Sequence, residues 1–504
     1  MSGGRARDAA VVTGRASGVA ADDAGIVVIG GGVAGLAAAH RVTELAAAHG
    51  TPLRLTLVEA AVRLGGSIAS ERVDGFLVEA GADSFLTEKP WALDLCRRIG
   101  LEERVITTRD ADRRTFIVHD GRLHPLPDGF LLLAPTRLVP PVATPLFTWR
   151  GKLRMALDLV LPRRTDGADE SLGEFVSRRL GRGALERVAQ PLVGGIYTGD
   201  PARLSVAATM PRFVEMERHD RSMIVAMRRA ARAAATAGSG ARWSLFVSFV
   251  DGMETLVRAI AQRLPEGAIR VHARVRALAA AAPHGYEVAL ESGERLHARG
   301  VIVATPAYVA ADLVRGLDAA LAANLEAIPY ASSAIVTLGY GRADVPHRLD
   351  GFGFVVPAVE GRRLIACSFS SVKYEGRAPA GAALLRVFCG GALATHMMEY
   401  TDAELVDAAR DELRDLLGIV AAPRLVRVHR HTRAMPQYHV GHLARLDAID
   451  AAVARHPGLA LAGNAYRGVG IPDCVHAGEL AAEASWADLL RHTSLLGRSA
   501  ARRS

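Results

Sequence analysis

The stretch IVVIGGGVAGLAAAHR, residues 26–41, carries no charge from Ile26 to Ala39 and changes its periodicity in the middle. Ile26–Ile29 is a β-branched run suited to a strand buried on both faces. Val33–Arg41, rich in Ala and Leu, suits a helix. The joint between them is Gly30-x-Gly32-x-x-Gly35. Gly30 allows a tight turn, Gly32 lets a pyrophosphate approach the backbone, and Gly35 lets the helix pack on the strand; the helix N-terminus then offers free N–H groups to phosphate. A membrane span needs about 20 predominantly apolar residues, and this run is shorter and holds four glycines. Taken alone, the pattern also fits a tight turn in an unrelated α/β protein.

Leu53–Val58 (LRLTLV) reads as the second strand of the unit and ends on Glu59. A carboxylate at that tip binds the ribose hydroxyls of a dinucleotide and disfavours a 2′-phosphate, which argues against NADP.

A chain of 504 residues, half of them hydrophobic, is expected to form two or three domains with a large interior. Its net charge is +8, but the arginines are dispersed and no nucleic-acid motif is present, so the expected partners are an anionic substrate or an anionic membrane face. Cys96, Cys367, Cys389 and Cys474 are far apart and show no CxxC spacing. That argues against a zinc site or a disulfide framework and fits a reducing, cytoplasmic setting. Residues 1–24 lack the apolar stretch of a secretory signal and read as a disordered leader, and residues 491–504 as a loose tail. Residues 130–147 (FLLLAPTRLVPPVATPLF) are apolar but hold four prolines and an arginine, which a lipid-exposed helix would not tolerate. Buried core is the preferred reading there, and an apolar rim touching a bilayer or a hydrophobic substrate is the alternative.

Further along, Gly75–Ser84 reads as a strand and a polar turn, Trp91–Leu101 as a helix, and Asp120-Gly121 as a hairpin signal. The segment 152–235 reads as helical and basic, interrupted at Gly194–Pro201. Strands recur at Arg270–Val275, Tyr286–Leu290 and Val301–Val303; a second mixed region spans 333–417, with a helix from Asp402; and a buried strand at 459–462 precedes a closing helix. The expected fold is α/β. It has a discontinuous Rossmann-like nucleotide domain (25–110, 243–315 and 425–490), a mixed-sheet substrate domain (111–137 and 316–424) and a helical insertion (138–242), the last a candidate membrane-facing element.

Four blocks taken together resemble the FAD-dependent amine-oxidase-like superfamily, and within it the porphyrinogen oxidases of heme biosynthesis. They are GGGVAGL with Glu59, Arg63, Gly65 and Gly66; GFLVEAGADSFLTEKPWALDLCRRIGL (75–101); PLVGGIYTGDPARLSVAATMPRF (191–213); and AMPQYHVGHLARL (434–446) with GNAYRGVGIPDCVHAGE (463–479). The resemblance covers roughly residues 25–488 and implies FAD as cofactor. It assigns Arg63, Gly65, Gly66 and Ser67 to the diphosphate, Gly81, Ala82, Asp83 and Ser84 to the cofactor, and Val275 to the adenine portion through its backbone. Asn464, Gly470 and Ile471 would open a helix toward the flavin's pyrimidine edge, where negative charge grows on reduction.

The implied reaction removes six electrons from a porphyrinogen by hydride transfer to the flavin, with O2 as acceptor and H2O2 as product. No catalytic side chain and no metal are called for, and the chain shows no triad, GxSxG or HExxH motif. Propionates on the substrate need cationic partners. Thr115 stands where plant and animal relatives carry an arginine, with Arg113 and Arg114 beside it. This departure, with the GVGIPDC block, favours coproporphyrinogen III over protoporphyrinogen IX. The alternatives are an amine oxidase, a carotenoid-desaturase type or a non-enzymatic flavin scaffold; an amine oxidase would attach its flavin through a cysteine in a context that Cys474 does not share.

Overall fold

The computed structural model describes residues 25–109, 114–126, 130–131, 134–135, 144–236, 244–282 and 285–501. The expected leader, Arg113 and most of the apolar stretch 130–147 lie outside the described residues.

Strand β1 (Gly25–Ile29) lies in a seven-stranded sheet between β2 (Leu55–Val58) and the strand Arg295–Val303, parallel to both. Leu459–Leu461 adds in parallel on the far side of Arg295–Val303. Three distant chain segments therefore build one sheet, as a discontinuous nucleotide fold requires. The absence of alternation in β1 has a direct cause. Ile26 and Val28 enter a core formed with helix α1 (Val33–Ala48) and the helix Ile471–Ala501, while Val27 and Ile29 enter a second core beneath Ala307–Val314. Both faces are covered by helices.

The single strand expected over Arg270–Val275 is two. Ile269–Arg270 pairs in parallel with β2, and Val275–Ala280 pairs antiparallel with Tyr286–Leu290. His272 between them takes a positive φ of 54°, so the chain turns to change partners.

A second seven-stranded sheet runs, in spatial order, Leu425–Pro436, Tyr330–Gly341, Ala382–Gly390, Ala366–Phe369, Gly353–Val355, Thr115–His119 and Arg122–Pro125. Leu425–Pro436 hydrogen-bonds along Tyr330–Gly341, so the boundary expected at residue 425 falls before a strand that belongs to this second sheet. Alternation divides its faces. Val336, Leu338, Leu385 and Val387 pack under the helix Asp402–Leu417. Thr337 and Arg386, directly paired in register, point to the opposite side.

Beyond the Thr115–His119 edge the insertion packs Ile117 against Phe175, Val188, Val193 and Tyr197. One of its helices spans Gln190–Tyr197 and ends where Thr198 adopts a φ of +47°, so the expected break at Gly194 comes four residues later. The closing helix continues to Ala501, through most of the expected loose tail.

Candidate functional site

The β1–α1 turn is built by backbone approach. Gly30 has a φ of +109°, and a Cβ there would lie 2.5 Å from the Ala304 carbonyl oxygen. A Cβ on Gly35 would lie 1.9 Å from the Gly30 carbonyl oxygen. Gly32 differs: its φ and ψ of −70° and 176° suit any residue, and a Cβ there would meet nothing within 4 Å. No protein contact requires glycine at this position. Helix α1 carries no side-chain cap and no acidic residue in its first turn, so its N-terminal donors remain directed at that open space. The cradle fits a diphosphate.

A second glycine loop lies over the first. Gly65 N–H donates to the Gly31 carbonyl at 2.8 Å, and a Cβ on Gly66 would lie 3.5 Å from the Gly32 Cα. Arg63 was expected to reach the diphosphate. Its guanidinium donates to the carbonyls of Leu64, Gly66 and Ile68 at 3.0, 2.7 and 2.9 Å, so it braces the loop with three of its five donors. Glu59 stands at the tip of β2, its two carboxylate oxygens accepting from Gly31 N–H at 2.6 Å and Ala61 N–H at 2.7 Å. Val275 is buried near the same end of the sheet, where Ala273 N–H donates to the Glu59 carbonyl at 2.9 Å.

Gly81 approaches Ser67 so closely that a Cβ would lie 2.2 Å from the Ser67 carbonyl oxygen. Ala82 follows, and Asp83 and Ser84 turn toward the second sheet. Lys373 Nζ lies 3.0 Å from an Asp83 carboxylate oxygen and 3.1 Å from Ser84 Oγ, and Arg386 lies 3.2 Å from the other Asp83 oxygen. Burial pushes the Asp83 carboxyl up, but Lys373 and Arg386 outweigh it and hold the group well below the usual carboxylate range. The acceptors of Asp83 are thus taken by Lys373, Arg386 and the neighbouring Ser84 hydroxyl.

At the third corner, Gly470 N–H donates to Asp473 Oδ2 at 3.3 Å as the closing helix begins at Ile471. Gly468 comes so close to Asp473 that a Cβ would lie 2.3 Å from its carboxyl carbon. Asn464 donates to the Ala434 carbonyl at 3.4 Å and accepts from the Tyr438 hydroxyl, whose oxygen accepts from Gly468 N–H at 2.9 Å. Lys89 donates to both Asp473 oxygens at 2.6 and 2.8 Å. The helix is carried to this place by Gly478, where a Cβ would lie 2.2 Å from the Ala34 carbonyl oxygen of α1. Lys89, Tyr438, Lys373 and Arg386 were not picked out from the sequence. Lys89 and Tyr438 do fall inside the quoted blocks, which was the only signal for them.

Arg114, expected at a propionate, is 59% exposed and pairs with Asp350 at 3.0 Å. Cys474 is buried, its thiol pushed up to about 12 by burial, as a core residue would be. Among the described residues His119, Asp120 and Glu360 bring potential metal ligands together, but Arg187 lies 2.6 Å from His119 Nδ1 and 3.0 Å from Glu360. A cation already occupies the position an ion would take.

Comparison with known proteins agrees with this geometry. The family described as flavin containing amine oxidoreductase matches residues 33–484. A Bacillus subtilis (strain 168) protein named coproporphyrinogen III oxidase is 34% identical, over 90% of this chain and 96% of its own. An Oryza sativa protein named chloroplastic protoporphyrinogen oxidase is 30% identical, over 92% and 89%. A solved structure from Exiguobacterium sp. 255-15 superposes with a TM-score of 0.81 at 32% identity, covering 92% of this chain and 98% of that one. The glycine cradle and Glu59 fit FAD, the cofactor this family carries, and the chain belongs to the flavin-containing amine oxidoreductase family.

Proposed function

We propose that this chain oxidises coproporphyrinogen III to the porphyrin in heme biosynthesis, with O2 as the electron acceptor and H2O2 as the product. The reading is carried by likeness over nearly the whole chain to the bacterial relative named for that substrate, which exceeds the likeness to the plant relative named for protoporphyrinogen. FAD, when bound, would supply the hydride-accepting centre and the route of electrons to O2. The residues of the chain hold it: Gly30, Gly32, Gly35, Gly65 and Gly66 at the diphosphate, Glu59 at the ribose, and the N-terminus of the Ile471 helix at the flavin.

Anaerobic mixing of the holoenzyme with each porphyrinogen tests the reading. Bleaching of the flavin and growth of porphyrin fluorescence are expected with coproporphyrinogen III, with a higher kcat/KM than for protoporphyrinogen IX. A flavin bleached by an amine and by neither porphyrinogen would overturn it.

Part of the protein also fits a peripheral contact with the inner face of a membrane. Trp149, Leu153 and Leu157, one turn apart, are 69, 68 and 49% exposed, with Arg150 and Lys152 beside them. Exposed apolar side chains flanked by cations suit an anionic lipid surface. Among the described residues no helix is long and apolar enough to cross a membrane.

A further inference from the structure

Arg386 is 2% exposed in the middle of the second sheet, yet it donates to the carbonyl of Gly81 on the nucleotide side. Lys373 and Arg377 approach the same segment. Arg377, 1% exposed, donates to Ser248 Oγ at 2.7 Å, and that hydroxyl donates to the Asp83 carbonyl at 2.7 Å. His431 Nε2 lies 2.8 Å from the Ala80 carbonyl oxygen. Every backbone carbonyl from Ala80 to Asp83 except that of Ala82 is therefore held by a group reaching in from outside the segment.

The charges in this cluster do not balance. Three cations, Lys373, Arg377 and Arg386, face two carboxylates, Asp83 and Glu79, which leaves one positive charge in excess. Aromatic rings supply part of the missing solvation: Lys373 lies 5.3 Å from the rings of Phe246 and Tyr374, and Arg386 lies 5.3 Å from Phe388. Even so, Arg386 Nε, Arg377 Nε and the Tyr374 hydroxyl have no hydrogen-bond partner. Apolar residues of similar volume would join two layers at least as well as buried ions do. What the ions add is a positive potential in a low-dielectric region, directed at the Gly81–Asp83 backbone.

We infer that Arg386 is a positioning residue for the flavin reaction: from the substrate-side sheet it fixes the Gly81–Asp83 backbone, and with Lys373 it places a buried surplus of positive charge there that favours the reduced, more negative cofactor. The inference rests on the reading that Gly81–Ser84 border FAD. Positive potential raises the affinity for reduced over oxidised flavin and makes the enzyme a stronger oxidant of its substrate.

The test uses purified holoenzyme, with FAD content and midpoint potential measured by anaerobic titration against a reference dye. Arg386→Met is expected to keep FAD but lose at least about tenfold in preference for the reduced form, about 30 mV for a two-electron couple. Arg386→Lys should recover most of that loss. Asp83→Asn, which removes the opposing charge, should shift the potential the other way. A purely structural role would move both sites in the same direction or not move the potential, and either result overturns the inference. Should Arg386→Met fail to fold, a downward or absent shift in Asp83→Asn overturns it alone. Wild-type protein that purifies without FAD and takes none up would instead refute the underlying cofactor reading.

Discussion

A Cβ placed on Gly35 would stand 1.9 Å from the carbonyl oxygen of Gly30, so the first helix and first strand meet backbone to backbone. Gly35→Ala should force that contact apart and cost at least about 1–3 kcal/mol of stability by overpacking. Gly32→Val adds a Cβ that meets nothing within 4 Å and should fold with an unchanged apoprotein Tm, yet purify without FAD. Thermal unfolding and the flavin absorbance of each variant separate the two effects. Stoichiometric FAD in Gly32→Val would show that the cradle is not the diphosphate site.

The insertion depends on a buried ion pair. Arg179 and Asp158 are both 0% exposed, and the Asp158 carboxylate also accepts from Ser222 Oγ at 2.6 Å and Ile224 N–H at 3.0 Å. Asp158→Ala should cost about 3–5 kcal/mol, because it removes the nearer carboxylate of a buried guanidinium and leaves it only Glu217 at 3.5 Å. The double variant Asp158→Leu/Arg179→Met should recover much of the loss. Denaturant unfolding measures both.

Buried His442 and half-buried His431 predict the pH dependence of stability. Burial pulls His442 and His431 below their ordinary pKa, and each ring has its Nε2 2.8 Å from a carbonyl oxygen, of Tyr466 and Ala80 respectively. A depressed folded-state pKa means that the unfolded chain binds more protons near pH 6. Stability is therefore full above about 6.5 and falls as the pH drops through it, by at most about 1.4 kcal/mol per pH unit for each histidine. His442→Gln should flatten this decline in urea unfolding between about pH 7.5 and 5.5.

Arg114→Ala should leave KM for either porphyrinogen within about twofold, because an exposed pair with Asp350 contributes about 0–1 kcal/mol and faces solvent. A larger rise in KM, reduced by added salt, would return Arg114 to the substrate.

Leu153→Asp should abolish pelleting of the protein with vesicles rich in phosphatidylglycerol while leaving kcat with soluble substrate unchanged. Equal recovery with neutral vesicles, or an unaltered variant, would remove the membrane contact.

The nucleotide turn, Glu59 at the strand tip and the helix opening at Ile471 were all legible in the chain, because each depends on residues a few positions apart whose spacing carries the geometry. The same holds for the helix from Asp402, marked by Thr401 and Glu404, which form a reciprocal cap. Other features belong to the tertiary structure. Nothing local distinguishes Leu425–Pro436 as a strand of the second sheet; its partner Tyr330–Gly341 decides that. Arg63 reads from the sequence as a phosphate ligand, and only the folded loop shows that three of its donors go to carbonyls of that loop. Arg386 and Gly81 stand 305 residues apart. Arginine in a strand pattern reads as a solvated face, because burying a charge is costly. Only when the fold brings Asp83, Gly81 and the aromatic rings around it does burial become tolerable, and hydrogen bonds and charge compensation of that kind exist only between segments that the fold has already brought together.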